Sequence, residues 1–274
     1  VYQRVLRFGT NRGPPKQLTL HDDVEQALLQ MTAARRNRRQ IATLTLGKIP
    51  RVVGTVLSSK FNPAAARWKS ACDIVELRLD KMQNRKDWLQ CGLSIESRGT
   101  PVIVTVRIKA EGGAWKRADK DRLPLYKQAL KHLSAVDVEL RSAIVKDVCA
   151  MAKRQKKCCI VSFHDFEKTP TLPELRRVAA RAQKLGSVIK ITTMTRTRAD
   201  VEILRSLLGM KWKKPLCVMG MGALGKETRT AFPKLGSCLT YGYLDKPAAP
   251  GQLSAGTLVR RLRKLLPEYR RNPR

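Results

Sequence analysis

Lys190 lies in the middle of "GSVIKITTM", residues 186–194, where Val188, Ile189, Ile191 and Met194 mark a buried strand. An ammonium is costly there, because burial disfavours its charged form, and a chain with 55 Lys and Arg could place lysines on any surface. An uncharged lysine amine in an apolar pocket near other cations is a nucleophile towards carbonyls and forms a Schiff base. The protonated imine is an electron sink. His164, closing the run "CCIVSFH", is the residue to remove the proton beside such an imine and return it to a leaving hydroxyl. Arginines at the same mouth suit a carboxylated substrate by bidentate pairing. These residue types point to imine-based elimination or aldol chemistry on a small anionic keto compound.

Other polar residues punctuate the apolar runs. Glu76, Arg78 and Asp80 alternate in "DIVELRLD"; Arg107 ends "PVIVTVR", with Glu111 just beyond; Asp137 and Glu139 alternate in "AVDVEL". Met219 and Met221 lie in "PLCVMGMG", and "DKPAAPGQL" follows the last apolar run. Each has an ordinary reading: a structural ion network, core methionines, a satisfied histidine, a lysine that snorkels to water. Alternating charge on an inner strand face needs partners in any case, since an unpaired buried ion costs several kcal/mol. Their coincidence at one rim, in a fold that gathers its strand ends, favours chemistry over these ordinary readings.

The elements that must position them follow a rhythm. Eight β-branched runs begin at residues 51, 73, 101, 135, 158, 187, 215 and 237, and amphipathic stretches separate them. The helical candidates include 120–133, 139–155, 171–186 and 197–209; Thr171 and Glu174 have capping-box spacing. Strict alternation favours parallel strands with crossover helices, and eight units in this length fit an α/β fold, a (β/α)8 TIM barrel, with the active site at the C-terminal strand ends. An open doubly wound sheet is the rival. It normally has fewer strands, and "GMGALG" lacks both the spacing and the position of a dinucleotide-binding turn.

Residues 1–48, with a Gly-Pro-Pro break and an amphipathic stretch rich in late arginines, are expected to be a basic N-terminal extension and the start of an N-terminal hairpin, and 49–274 the barrel catalytic domain. The formal charge of +33 would attract nucleic acid, anionic lipid and anionic metabolites alike, so charge selects no partner. Nucleic acid is expected only through this non-specific charge. No apolar run approaches a membrane span, and seven cysteines without a C-x-x-C pair read as reduced core thiols in a cytoplasmic compartment. Three histidines in no ligand-spaced cluster give no expectation of metal.

The ordered motifs resemble the type I 3-dehydroquinate dehydratases. "DIVELRLD" is similar to their E-x-R-x-D strand, "VTVRIKAEGG" to F-R-x-x-x-E-G-G, and "SFHDFEKTP" to S-x-H-D-F-x-x-T-P. "IKITTM" is similar to the lysine strand, "MGMGALGKETR" to M-x-M-G-x-x-G-x-x-x-R, and "GYLDKPAAPGQL" to the A-P-G-Q lid. The resemblance runs from about residue 49 to 265. It implies a cofactor-free homodimeric lyase of the shikimate pathway, converting 3-dehydroquinate to 3-dehydroshikimate by syn elimination. Lys190 would form the imine, His164 would be general acid and base, and Glu111 would orient the imidazole. Arg229 and Gln252 would hold the substrate carboxylate, while Glu76, Arg78 and Arg107 would contact ring hydroxyls. Thr55 stands where the family often has Ser, and Met219, Met221 and Phe166 would wall the pocket. Ala248 replaces the usual lid Ser, a loss of about 1 kcal/mol for one hydrogen bond. The competing readings are a catalytically silent basic barrel serving as a nucleic-acid or scaffold module, and another Schiff-base barrel of aldolase type. An intact Lys190 and His164 argue against the first.

Overall fold

The computed structural model describes residues 46–271 apart from 48, 66–67, 84–85 and 248–251. Apart from Leu46 and Gly47, the basic extension expected for 1–48 lies outside the described residues, as does Ala248. All eight expected strands form. They are β1 (Arg51–Val56), β2 (Ile74–Arg78), β3 (Val102–Thr105), β4 (Ala135–Glu139), β5 (Cys158–Asp165), β6 (Val188–Met194), β7 (Leu216–Met221) and β8 (Leu239–Tyr243). The pairs in the ladder are parallel, in the order β7-β6-β5-β4-β3-β2-β1-β8. Strands this apolar, covered on both faces, are what parallel pairing requires.

The circle closes differently between β7 and β8. There the Cys238 N–H donates to the Leu216 carbonyl at 2.9 Å, and the Ser237 hydroxyl stands in for further ladder bonds. It accepts from the Val218 N–H at 3.0 Å and lies 3.2 Å from the Val218 carbonyl. The eight strands thus make a nearly closed barrel, with a side chain completing the seam.

Seven strands are followed by α-helices: α1 (Trp88–Ser97), α2 (Leu123–His132), α3 (Val145–Arg154), α4 (Leu172–Leu185), α5 (Arg198–Leu208), α6 (Gly225–Lys234) and α7 (Ala255–Leu265), with a short α8 (Pro267–Arg271) at the end. The Thr171–Glu174 capping box forms as its spacing predicts, and Thr197 with Asp200 makes a second at the start of α5. No α-helix is described between β1 and β2, where Trp68 instead donates its indole N–H to the Pro63 carbonyl at 3.0 Å. The helix expected from residue 139 begins only at Val145. Glu139 ends a strand, and Arg141 and Ser142 serve the barrel mouth with their side chains. None of the described helices is long and apolar enough to cross a membrane.

The two-residue period of the strands sorts the barrel interior into layers. Val53, Ile74, Ile103, Ala135, Ile160, Val188, Cys217 and Leu239 belong to one apolar cluster that forms the floor. Two residues further along the same strands stand Thr55, Glu76, Thr105, Asp137, Ser162, Lys190, Met219 and Tyr241. Arg78, Arg107, Glu139, His164, Thr192 and Met221 follow after another step of two, at or just past the strand ends. Lys190 therefore sits on an apolar base with polar neighbours around it.

Candidate active site

A cavity of about 580 Å³ opens at the C-terminal end of the barrel. Thr55, Glu76, Arg78, Arg107, Glu111, His164, Phe166, Lys190, Met219, Met221, Arg229 and Gln252 all line it. Every residue that the family resemblance assigns a role in the site, Ala248 excepted, is therefore brought to one hollow.

Lys190 is 4% exposed, and its Nζ donates to Asp137 Oδ2 at 2.9 Å. The amine is thus not in the apolar pocket that its strand suggests. It shares Asp137 with Arg107, whose Nη2 is 2.6 Å from Oδ1, and its Nζ sits 4.1 Å from the centre of the Tyr241 ring. Arg107 also reaches Glu139 at 3.2 Å, and Glu139 in turn holds Arg122 at 2.6 Å. The result is a buried chain of alternating sign, Arg122, Glu139, Arg107, Asp137, Lys190. Burial would raise the Asp137 carboxyl, but Arg107, Lys190 and His164, with the Ser162 hydroxyl, outweigh it and hold it far below the usual carboxylate range. Asp137→Ala would leave Arg107 and Lys190 without their shared anion. A loss of about 3–5 kcal/mol is expected in urea unfolding at neutral pH.

His164 is fixed from behind. Its Nδ1 lies 3.0 Å from Glu111 Oε2, and the same oxygen accepts the His164 backbone N–H at 3.0 Å. An ionised Glu111 therefore favours the tautomer with the proton on Nδ1, leaving the Nε2 lone pair for the cavity. Burial, then Arg107 and Lys190, keep the imidazole well below its usual pKa, so it is neutral and basic in form at pH 7. Burial pushes Glu111 up to about 7; Glu139 adds to this, while Arg107 and Arg141 oppose it. Arg141 donates to Glu111 Oε1 at 3.1 Å and to the His164 carbonyl at 2.5 Å. Phe166 stacks on the imidazole, ring centres 6.4 Å apart. Gly112, at φ 75°, makes room for it: a Cβ there would lie 2.1 Å from Phe166 Cζ.

The remaining cations differ in what neutralises them. Arg78 is held by Asp80 through two bonds of 2.9 and 2.8 Å, and Asp80 also accepts the Ala114 N–H. Glu76 accepts the hydroxyls of Thr55 at 3.0 Å and Thr105 at 2.8 Å. Half-buried Arg229 has no carboxylate against it among the described residues: Nη1 faces Met219 Sδ at 2.8 Å and Nη2 the Gly220 carbonyl at 3.2 Å. A thioether is a weak acceptor, so this guanidinium remains able to take an anion. The cavity thus brings together the Lys190 amine, an imidazole held by Glu111 and a guanidinium with no described carboxylate against it.

A family model for type I 3-dehydroquinase matches residues 52–266. The chain belongs to the type I 3-dehydroquinase family. Among curated relatives, a 3-dehydroquinate dehydratase of Methanocella arvoryzae is 34% identical over 217 residues, covering 79% of this chain and 97% of that one. A 3-dehydroquinate dehydratase of Methanocaldococcus jannaschii is 34% identical, covering 71% of this chain and 88% of its own. Among solved structures, type I 3-dehydroquinate dehydratase from Clostridium difficile superposes with a TM-score of 0.72 at 25% identity, covering 84% of this chain and 97% of that one. The Aquifex aeolicus 3-dehydroquinate dehydratase gives 0.69 at 27% identity, covering 78% and 98%.

Within this type I 3-dehydroquinase, sequence reasoning missed several residues. Asp137 and Glu139 show in the sequence only as alternating charges, with nothing local to name their partners; Tyr241 sits two residues before Tyr243 in a run that reads as ordinary strand. Arg141 lay inside an expected helix, and only the buried carboxylate two residues earlier hinted that the strand continued into a working loop.

Proposed function

We propose that the chain dehydrates 3-dehydroquinate to 3-dehydroshikimate through an imine on Lys190, as a lyase of the shikimate pathway. The observation that carries this reading is the convergence of the Lys190 amine, the Glu111-held imidazole and the carboxylate-free Arg229 on one cavity.

The chemistry needs a proton removed from C2, beside the ketone, and a hydroxyl expelled from C1. Lys190 Nζ bonds to C3 while the carbonyl oxygen leaves as water, taking two of the ammonium's three protons. The resulting iminium draws electron density from C2, which lowers the barrier for Nε2 of His164 to take the C2 proton. The electrons pass through an enamine and expel the C1 hydroxyl, which receives the imidazolium proton. Hydrolysis of the imine consumes one water, offsetting the one released when the imine formed, and frees the amine, so the only net loss is the water made from the C1 hydroxyl and the C2 proton.

Arg229 and Gln252 hold the substrate carboxylate in this scheme. Glu76 and Arg78 face ring hydroxyls, with Thr55 supporting Glu76, while Met219, Met221 and Phe166 give the walls. Arg107 contributes to the same ring face, and its bonds to Asp137, Glu139 and Ser162 fix where it can reach. Residues 49–274 form the catalytic domain and 1–48 a basic extension. The protein works as a cytoplasmic homodimer, a reading supported by its seven free thiols and by the family it belongs to. A role as a silent basic module draws no support from so complete a set of polar groups.

Adding 3-dehydroquinate should produce the near-ultraviolet absorbance of a conjugated enone. Borohydride reduction under saturating substrate should yield a covalent adduct on the peptide containing Lys190; absence of any adduct would remove the reading.

The rate should also depend on pH through Glu111. Below about 7 its carboxyl takes up a proton, becomes a donor to Nδ1 and moves the imidazole proton to Nε2, where it blocks the base. Activity is therefore expected to fall as pH drops through about 7 and to hold above it. Glu111→Gln cannot titrate, so its kcat/KM profile should be lower and should lack that acid limb; an unaltered limb assigns the titration elsewhere.

A further inference from the structure

Buried polar atoms at the site are paired almost throughout, and the exceptions are informative. Four described buried side-chain atoms have no partner: Arg51 Nε, Thr100 Oγ1, Thr192 Oγ1 and Tyr241 OH. Two of the four, Thr192 and Tyr241, line the cavity, and they are only 4% and 5% exposed. A buried hydroxyl without a partner is costly, and native structures seldom keep one unless a ligand or water completes it.

Both lie beside the reacting amine. The Tyr241 ring is the surface against which Nζ rests, at 4.1 Å from its centre. Thr192 follows Lys190 by two residues on β6, on the same inner face, and is in register with His164. The neighbouring carboxylates are already committed, Glu76 to two threonine hydroxyls and Asp137 to Arg107, Ser162 and Lys190. Burial, and next the Glu76 charge, keep the phenol well above its usual pKa, so it remains an O–H donor. Phenylalanine would supply the same ring face without that donor.

We propose that Tyr241 donates a hydrogen bond to the substrate's ketone oxygen as Lys190 attacks, and holds that oxygen, with Thr192 as a second contact, until it departs as water. This rests on the imine reading above. One proton passes from the Lys190 nitrogen to the ketone oxygen, freeing the lone pair that forms the nitrogen–carbon bond as the carbonyl pair moves onto oxygen; a second proton follows from nitrogen, that oxygen leaves as water, and one proton stays on the imine nitrogen. Tyr241 keeps its own proton throughout. Its contribution belongs to imine formation and not to the later elimination.

Tyr241→Phe keeps the ring, and the Tyr241→Phe/Thr192→Val double variant removes both hydroxyls at nearly constant shape. Because the deleted groups are unpaired, neither variant should melt below the parent. Each is mixed with saturating 3-dehydroquinate, quenched with borohydride at successive times and weighed intact. Loss of one hydrogen bond to a developing charge predicts adduct formation about tenfold slower in Tyr241→Phe, and slower still in the double variant. Conversion of preformed adduct to enone should keep the parental rate. Adduct formation within about twofold of the parent in the double variant would overturn the assignment, as would a raised KM with an unchanged rate at saturation, the expected behaviour of a uniform binding contact. If the parent itself gives no adduct, the imine reading fails first.

Discussion

Lys190→Met is expected to form no borohydride-trapped adduct and to lose turnover by a factor on the order of 10⁴ to 10⁶, as when a covalent nucleophile is removed. Methionine approximates the length of the lysine stem and suits the apolar floor beneath it. The deletion also leaves Asp137 paired with Arg107 at 2.6 Å and bonded to Ser162 at 2.6 Å, so the carboxylate is not stranded. The fold should therefore survive, and circular dichroism with a melting curve separates lost chemistry from lost structure. Turnover within tenfold of the parent would mean that no covalent step on this residue is needed.

His164→Ala should divide the reaction in two. The amine and its surroundings are untouched, so the imine should still form and be trapped at full stoichiometry. Removal of the C2 proton and protonation of the leaving hydroxyl both lose their agent, and turnover should fall by about 10²- to 10⁴-fold, the usual worth of a positioned acid–base group. Adduct should then accumulate during the steady state, visible by intact mass without rapid quenching. Undiminished turnover would exclude the imidazole as the base. Glu111 bonds to the His164 imidazole and backbone amide and Arg141 to Glu111 and the His164 carbonyl, so their contacts at the site run largely through His164.

Much of this was legible in the residues because strand periodicity is short and strict. Lys190 announced itself by being wrong for its strand, and Glu76, Arg78, Arg107 and His164 by alternation or by position at strand ends. Partner identity was not legible. Nothing local says that Lys190 pairs with Asp137, 53 residues earlier, because that contact exists only once β4, β5 and β6 are in register. The expectation of an apolar pocket around the amine failed for the same reason: the flanking Ile189 and Ile191 point out of the barrel, towards the helices. The helix start at 139 was misplaced because Leu140 and Ile144 continue an apolar period across a loop whose side chains work at the mouth. Ser237 and Tyr241 carried no signal, being ordinary residues whose importance comes from what lies across from them.

The seam between β7 and β8 has a consequence for how the barrel breathes. Elsewhere each strand is locked to its neighbour by a backbone ladder, whereas here one amide bond, the Ser237 hydroxyl and the Cys217 thiol, which donates to the Leu239 carbonyl at 3.3 Å, share the task. Deuterium uptake should be fastest, among the barrel strands, at the amides of Cys238 and Val218, and Ser237→Ala should speed it further while leaving the β4–β5 amides protected. Because β7 bears Met219 and leads into the helix carrying Arg229, the wall proposed to meet the substrate carboxylate is also the stave most easily loosened.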